Sequence, residues 1–365
     1  MARVALVALV GLVAVCSAYE RIEDVESCLK KAYYPVSFGA PLKTSKTQNL
    51  EGHARDIKTA LKEFQGQDRT KGQNFEDSTY GGPTLEELWT QDFGERPLED
   101  FGGYVPLFVQ WVTTKMRGKK DALHTTLKHV LAKDILYVTV SNHAFGIKDS
   151  FPDFEHYPNI LVLSAGGNGH IPVPHLKRNI PYQGYDPNFA FKYDISFVGT
   201  PRVNGGRKKF LDTIAAQKLG DKGQSLSLEV TQKPFLESLT IYNNSMMNLA
   251  PRGVGRTSFR LYEIIHVGKL PAYIYSDIAW VPYEGTGADM RTFGWVFQNE
   301  EAEKVGQVAW NLKKDPADLA KRLQALHTLR DSHYSYEGVV SQISLYLKGG
   351  EGASDLRCHG YPTKG

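Results

Sequence analysis

From Tyr104 onward the apolar positions follow two periods, and the switches between them mark out the elements. "YVPLFVQWV" (104–112) and "ILYVTVS" (135–141) are short, nearly continuous apolar runs that predict buried strands. Between them "KKDALHTTLKHVLAK" repeats every three to four residues and predicts an amphipathic helix. "NILVLS" gives another strand, followed by the glycine cluster "AGGNGH" and then "IPVP". Strands alternating with helices imply a mostly parallel sheet covered on both faces. Before residue 104 the chain is polar and Gly-rich, with helices expected at "HARDIKTALKEF" and after Thr84 in "GGPTLEELW".

"PYQGYDPNFAFK" (181–192) carries no period and reads as a linker. A second series follows it. "YDISFVG" predicts a strand, "TPRVNGG" a loop and "RKKFLDTIAAQKLG" a helix closed by Gly220. "LSLEV" predicts a strand and "KPFLESLTIYNN" a helix. "MMNLA" is then a strand, "PRGVGR" a basic loop, and "TSFRLYEIIHVG" a helix with Thr257 or Ser258 as N-cap and Gly268 as its stop. Pro271 opens the next strand, and "DPADLAKRLQALHTLRDSHYSYEGVVSQISLYL" reads as wholly helical. The expected class is α/β, with two Rossmann-like domains facing a cleft and a helical C-terminal tail. The boundaries drawn are 19–103 for an N-terminal extension, 104–185 and 186–310 for the two domains, and 311–365 for the tail.

A length of 365 residues agrees with two domains, and 41% hydrophobic with 23% charged residues describes an ordinary globular chain. The formal net charge of +3 gives no footing for nucleic acid, so a basic function has to be local. At the N-terminus, Arg3, the apolar run "VALVALVGLVAV" and "CSA" have the layout of a signal peptide over 1–18, with Tyr19 opening the mature chain. If uncleaved, the same run would be a type II membrane anchor; either way the fold faces the secretory lumen. Cys28 and Cys358 are then the two cysteines left, which in an oxidising compartment form one disulfide or remain two thiols. Asn243-Asn244-Ser245 is a glycosylation sequon.

The basic loop carries the candidate chemistry. In an open α/β sheet, ligands bind outside the carboxyl ends of the strands, where this strand-to-helix loop lies. A helix N-terminus offers N–H groups and the positive end of its dipole to an anion. Gly253 and Gly255 allow close backbone approach, and Arg252 and Arg256 add charge-assisted donors. Arg260 and Glu263 share a helix face next to this N-terminus, suiting phosphate and a ribose diol, or else pairing with each other on the surface. Arg207 stands at the first turn of the preceding basic helix, where a cation opposes the dipole unless an anion is present, or is a solvated surface residue.

"LAPRGVGRTSFRLYEIIHVGKLPAYIYSD" with "WVPY" after it resembles the signature of the exostosin-type glycosyltransferases, and "FVGTPRVNGGRKKFLD" resembles their upstream strand-loop-Arg segment. "YVTVSNHAFGI" and "GHIPVP" resemble two further family stretches more weakly, and the similarity spans 104–345. The resemblance implies a GT-B-like fold and an inverting transferase using nucleotide sugars, usually UDP-linked, in the Golgi lumen. Carried over residue by residue, it implies that Arg207, Ser258, Arg260 and Glu263 bind the nucleotide and that Arg252 and Gly253 form the loop around it. It implies a nucleotide-sugar donor and a glycan acceptor as partners, with a homo- or hetero-oligomer left open and no nucleic acid. No cofactor is expected and, with no Asp-x-Asp pair, no metal site. His143 is the best-placed candidate base, with Asp149 and Asp153 as alternatives. Ala144 stands where the family often has Asp, which keeps a second function in view: an inactive relative that binds glycan or supports an active partner. An unrelated α/β nucleotide-binding enzyme is the remaining alternative.

Overall fold

The computed structural model describes residues 28–29, 42–66, 84–176, 180, 184, 190–201, 205–220, 222–349 and 351–359. The expected signal segment 1–18 lies outside them, as does most of the expected linker.

Two all-parallel sheets form the frame. The first has β1 (Val105–Pro106), β2 (Tyr137–Ser141), β3 (Ile160–Ser164) and β4 (Ile171–Pro172), in that order. The second runs β6 (Leu228–Thr231), β5 (Tyr193–Val198), β7 (Ser245–Pro251), β8 (Pro271–Tyr275), β9 (Trp295–Gln298). The expected α/β class with two parallel sheets is what the chain adopts. The first sheet is apolar on both faces because helices cover both. Val138, Val140, Leu161 and Leu163 face one core with Trp89, while Tyr137, Ile160 and Val162 face another with Leu123 and Leu127. The core containing Trp89 continues into the second sheet through Ile195, Met247 and Ala272, so the two halves are packed together.

Several elements differ from the sequence expectation. The run 104–112 is a strand only over β1, after which helix α3 (Trp111–Met116) begins, following α1 (Glu51–Ala60) and α2 (Leu85–Gln91). The carbonyl of Leu107 accepts from Trp89 Nε1 at 2.9 Å and from Thr139 Oγ1 at 3.0 Å, which ends the ladder. A buried carboxylate, Glu86, takes the Val112 N–H at 3.0 Å and so starts the helix. Thr84 caps α2 in a capping box with Glu87, as expected. Helices α4 (Lys120–Val130), α5 (Gly205–Ala216), α6 (Phe235–Asn243) and α7 (Phe259–His266) follow the periodicity. Gly220 does not close α5, which ends at Ala216; with φ 70° it turns the chain into a Leu219–Gln224 bridge. Gly268 does close α7. Its N–H reaches Ile265 O and that of Lys269 reaches Ile264 O, both at 3.0 Å, with Gly268 at φ 78°.

The helical tail contains α8 (Ala302–Lys314), α9 (Pro316–Leu329) and α10 (Tyr336–Gly349). It is interrupted by a π-turn at Arg330–Tyr334 and by extended Ser335, whose Oγ accepts from Gly338 N at 3.1 Å and caps α10. Helix α10 returns to the first half of the chain. Lys348 pairs with Asp100 at 2.7 Å, Arg96 donates to Ser344 at 2.7 Å and Tyr336 to Asp92 at 2.6 Å. Cys28 and Cys358 are joined as a disulfide with Cα atoms 5.6 Å apart.

Candidate functional site

The basic loop between β7 and α7 sits against the carboxyl edge of the first sheet. Arg256 N–H donates to Gly166 O at 3.2 Å, and its Nη1 to Gly167 O at 2.9 Å and Asn168 Oδ1 at 3.1 Å. Trp280 Nε1 donates to Ser164 O at 2.8 Å. Glycines make the approach: a Cβ on Gly255 would lie 2.2 Å from Gly166 O, and one on Gly167 (φ 104°) 2.4 Å from Arg256 Cβ. The segments 141–147, 165–170 and 251–258 therefore meet at one seam. Thr200 and Arg207 join them, since Arg207 donates to Thr200 O at 2.9 Å and to Arg252 O.

The arginines of this region divide into two pairs. Arg252 and Arg256 share Asp277 at the end of β8. Arg256 Nε lies 3.0 Å from Oδ2, and Arg252 pairs with Oδ1 while its Nε holds Gly255 O at 3.0 Å. Burial pushes the Asp277 carboxyl upward, but the hydrogen bond from Arg256 and the charges of both arginines outweigh it and hold the group below its ordinary value. Expected as charge-assisted donors to an anion, these two side chains are committed to Asp277 and to carbonyl oxygens. They give the loop its shape, with Gly253 N–H closing onto Thr257 O at 3.0 Å.

Arg207 and Arg260 have no such carboxylate among their described hydrogen bonds. Both guanidiniums lie over the Phe197 ring of β5, at 5.6 Å and 4.9 Å from its centroid. Gly199, at φ 144°, admits the second: a Cβ there would stand 2.2 Å from Arg260 Nη2. The Nε atoms of both arginines are buried without a hydrogen-bond partner, as is Ser258 Oγ. Ser258 is the N-cap of α7 yet makes no capping bond. Burial, and then the adjacent Arg260 charge, push Arg207 down to about 10. Like charges thus converge beside a helix N-terminus with donors unspent, a geometry suited to a multivalent anion. Glu263 is buried one turn further along, accepting from Tyr242 Oη at 3.5 Å.

On the first sheet, His143 follows β2. Its Nδ1 accepts from Phe145 N–H at 3.2 Å; Lys115 Nζ lies 3.3 Å and Asp149 Oδ2 3.8 Å from Nε2. Burial and the Lys115 charge lower its pKa, only partly opposed by Asp149, so the ring is neutral near pH 7. Asp149 is paired with Lys115 at 2.8 Å. Asp153 binds Lys128 at 2.8 Å and His124 at 3.2 Å on α4. Asn243 of the expected sequon ends α6 at 8% exposure with Oδ1 unpartnered. Sequence reasoning missed Phe197, Gly199 and Asp277. Of these only Asp277, a carboxylate at a strand's carboxyl end downstream of Arg252 and Arg256, carried a readable charge signal.

No family model and no curated protein matches the chain. Among solved structures it is similar to a sucrose-phosphate synthase from Thermosynechococcus elongatus, at 10% identity and TM-score 0.37, covering 65% of each chain. It is also similar to a point mutant of TarM from S. aureus in complex with fondaparinux, alpha-GlcNAc-glycerol and UDP. That match has 9% identity and TM-score 0.35, over 63% of this chain and 59% of the other. A further TarM structure matches at 7% identity and TM-score 0.33, over 61% and 57%. The chain thus spans less than two thirds of each of these proteins. Likeness at this level carries nothing about chemistry, which rests on the residues described above.

Proposed function

We propose that the chain is a glycosyltransferase of the exostosin type that moves a sugar from a nucleotide donor, UDP-linked, to a glycan hydroxyl in the Golgi lumen. The observation that carries this reading is the pair Arg207 and Arg260 over Phe197, with both Nε atoms and Ser258 Oγ unspent at the N-terminus of α7. A diphosphate satisfies all of these at once, and buried Glu263 on the same helix suits the ribose diol. In an inverting displacement the acceptor oxygen bonds to the anomeric carbon, and the bond from that carbon to phosphate breaks. The electron pair leaves on the nucleoside diphosphate, where the two guanidiniums stabilise it. The acceptor proton goes to a base. A neutral His143 would take it at Nδ1, in place of the bond from Phe145.

The constrained ring of His143 and the neighbouring Ala144 also favour a second reading, a glycan-binding relative without turnover. One experiment separates the two: calorimetric titration of UDP together with a hydrolysis screen over UDP- and GDP-sugars. Binding with hydrolysis supports the transferase, binding of UDP without any turnover supports the inactive relative, and no UDP binding refutes the transferase. N-terminal sequencing of protein from its native host tests the lumenal address, with Tyr19 as the expected first residue.

A further inference from the structure

Asn142, the residue after β2, is 6% exposed, yet neither its Nδ2 nor its Oδ1 has a hydrogen-bond partner. Its backbone is well held: the N–H donates to Glu86 Oε1 at 2.7 Å, and the other Glu86 oxygen holds the start of α3. A carboxamide presents two donors and an acceptor oxygen, and burying them unpaired is costly. Folding alone would be served better by leucine, which has the same branching and no polar atoms.

The position is at the seam. A Cβ on Gly166 would lie 2.7 Å from Asn142 O and 2.1 Å from His143 O, and one on Gly255 3.1 Å from Ala144 Cα. On the same turn Phe145 is 54% exposed, its ring centroid 5.7 Å from that of His143, and Val254 on the facing loop is 64% exposed. A neutral group that both gives and takes hydrogen bonds does not select phosphate, which only accepts, or an ammonium, which only donates. It matches a hydroxyl pair, and the exposed aromatic offers a face to sugar C–H groups.

We propose that Asn142 binds hydroxyls of the acceptor sugar, its Oδ1 accepting from one and its Nδ2 donating to a neighbour, beside His143. Calling that sugar the acceptor rests on the glycosyl-transfer reading. The 143–146 turn follows Asn142 directly and is held by the Gly146 N–H to His143 O bond (2.9 Å) and the Asn168 bond to Ala144 O, so on this proposal the sugar reaches the buried amide as that turn lifts.

The test uses the full chain with Asn142→Leu and Asn142→Ala. Melting is followed with and without methyl glycosides of xylose, galactose, glucuronic acid and N-acetylglucosamine, alongside UDP titration. Wild type should be stabilised by at least one glycoside, and that shift should vanish in both variants while UDP affinity is unchanged. Without ligand, Asn142→Leu should melt about 1–4 °C above wild type, because an unpaired buried amide has been removed. The proposal is overturned if both variants melt well below wild type, if the glycoside shift survives in them, or if no glycoside stabilises wild type. Failure of wild type to bind UDP would instead refute the transferase reading, and the melting series would still decide the role of Asn142.

Discussion

Arg260→Met separates an anion site from a structural cluster, because methionine keeps the contact with Phe197 and removes only charge and donors. Arg207 is lowered from 12.5 to about 10 by burial and then by Arg260. At 1.36 kcal/mol per pKa unit, holding it charged costs about 3 kcal/mol, and Arg260 accounts for the smaller part. Relief of that part is offset by the lost cation–π contact, about 0.5–2 kcal/mol, so the unliganded protein should melt within about 2 °C of wild type. Binding should behave very differently. Losing charge-assisted bonds to a diphosphate costs about 1.5–3 kcal/mol, or roughly 10- to 150-fold in affinity. Calorimetry with UDP, pyrophosphate and uridine reads this directly: the first two should weaken together and uridine should change little. Glu263→Gln should show the opposite split, weakening UDP and uridine and sparing pyrophosphate. If Arg260→Met binds UDP and pyrophosphate like wild type, the guanidinium pair is not a diphosphate site. A large fall in melting temperature would mark Arg260 as structural.

Gly255→Ala should destabilise by about 1–3 kcal/mol and weaken UDP binding, because its Cβ meets the Gly166 carbonyl and neither backbone can yield; Gly287→Ala, with nothing within 4 Å, is the matched control and should melt like wild type. Burial holds His170 down at about 3, and burial with the Arg256 charge holds His359 at about 4, while both return to about 6.5 on unfolding. Because the unfolded chain binds more protons, their contribution is complete above pH 6.5 and is lost as pH falls through it towards 4 and 3. At pH 5 that amounts to about 4 kcal/mol for the two together, or a melting temperature about 5 °C lower than at pH 7.5; a flat profile would contradict the burial. Cys358→Ser opens a cross-link spanning 330 residues and should cost about 3–5 kcal/mol, read as a lower melting temperature that reductant does not change further.

Where local chemistry decided the outcome, the sequence was legible. Thr84 with Glu87, Gly268 after His266, and Pro271 at a strand start act within a turn of themselves, and each sits where its pattern put it. Distant partners decided the rest. The run 104–112 looks like one strand, but Trp89 and Glu86, far back in the chain, end it early and begin a helix. Gly220 looks like a helix stop because nothing local reveals the Leu219–Gln224 bridge. The site shows the same division. The glycine spacing and the helix start at Ser258 announced a place for an anion, whereas which arginines remain available depended on Asp277, Phe197 and Gly199 arriving from other elements.

That division bears on how the site would work. Asp277 pairs with both arginines that fasten the loop to the first sheet, so the seam holds together through its own contacts. Arg207 and Arg260 share no such carboxylate among the described ion pairs, and a residue pushed down to about 10 is one the fold holds at a cost. The two sets are connected, since Arg207 also donates to the carbonyl of Arg252. An anion that binds Arg207 therefore acts on the same loop that carries Gly255 against Gly166 and Ala144. Occupying the second half of the chain would be felt, through one carbonyl and one glycine, at the turn that carries His143 and lies next to Asn142. A donor-first order of binding is the natural consequence: UDP should raise glycoside affinity in wild type, and by reciprocity glycoside should raise UDP affinity by the same factor. Arg207→Gln would cut this link at its start, leaving glycoside binding intact and insensitive to UDP. Equal glycoside affinity with and without saturating UDP in wild type would show that the two halves act independently.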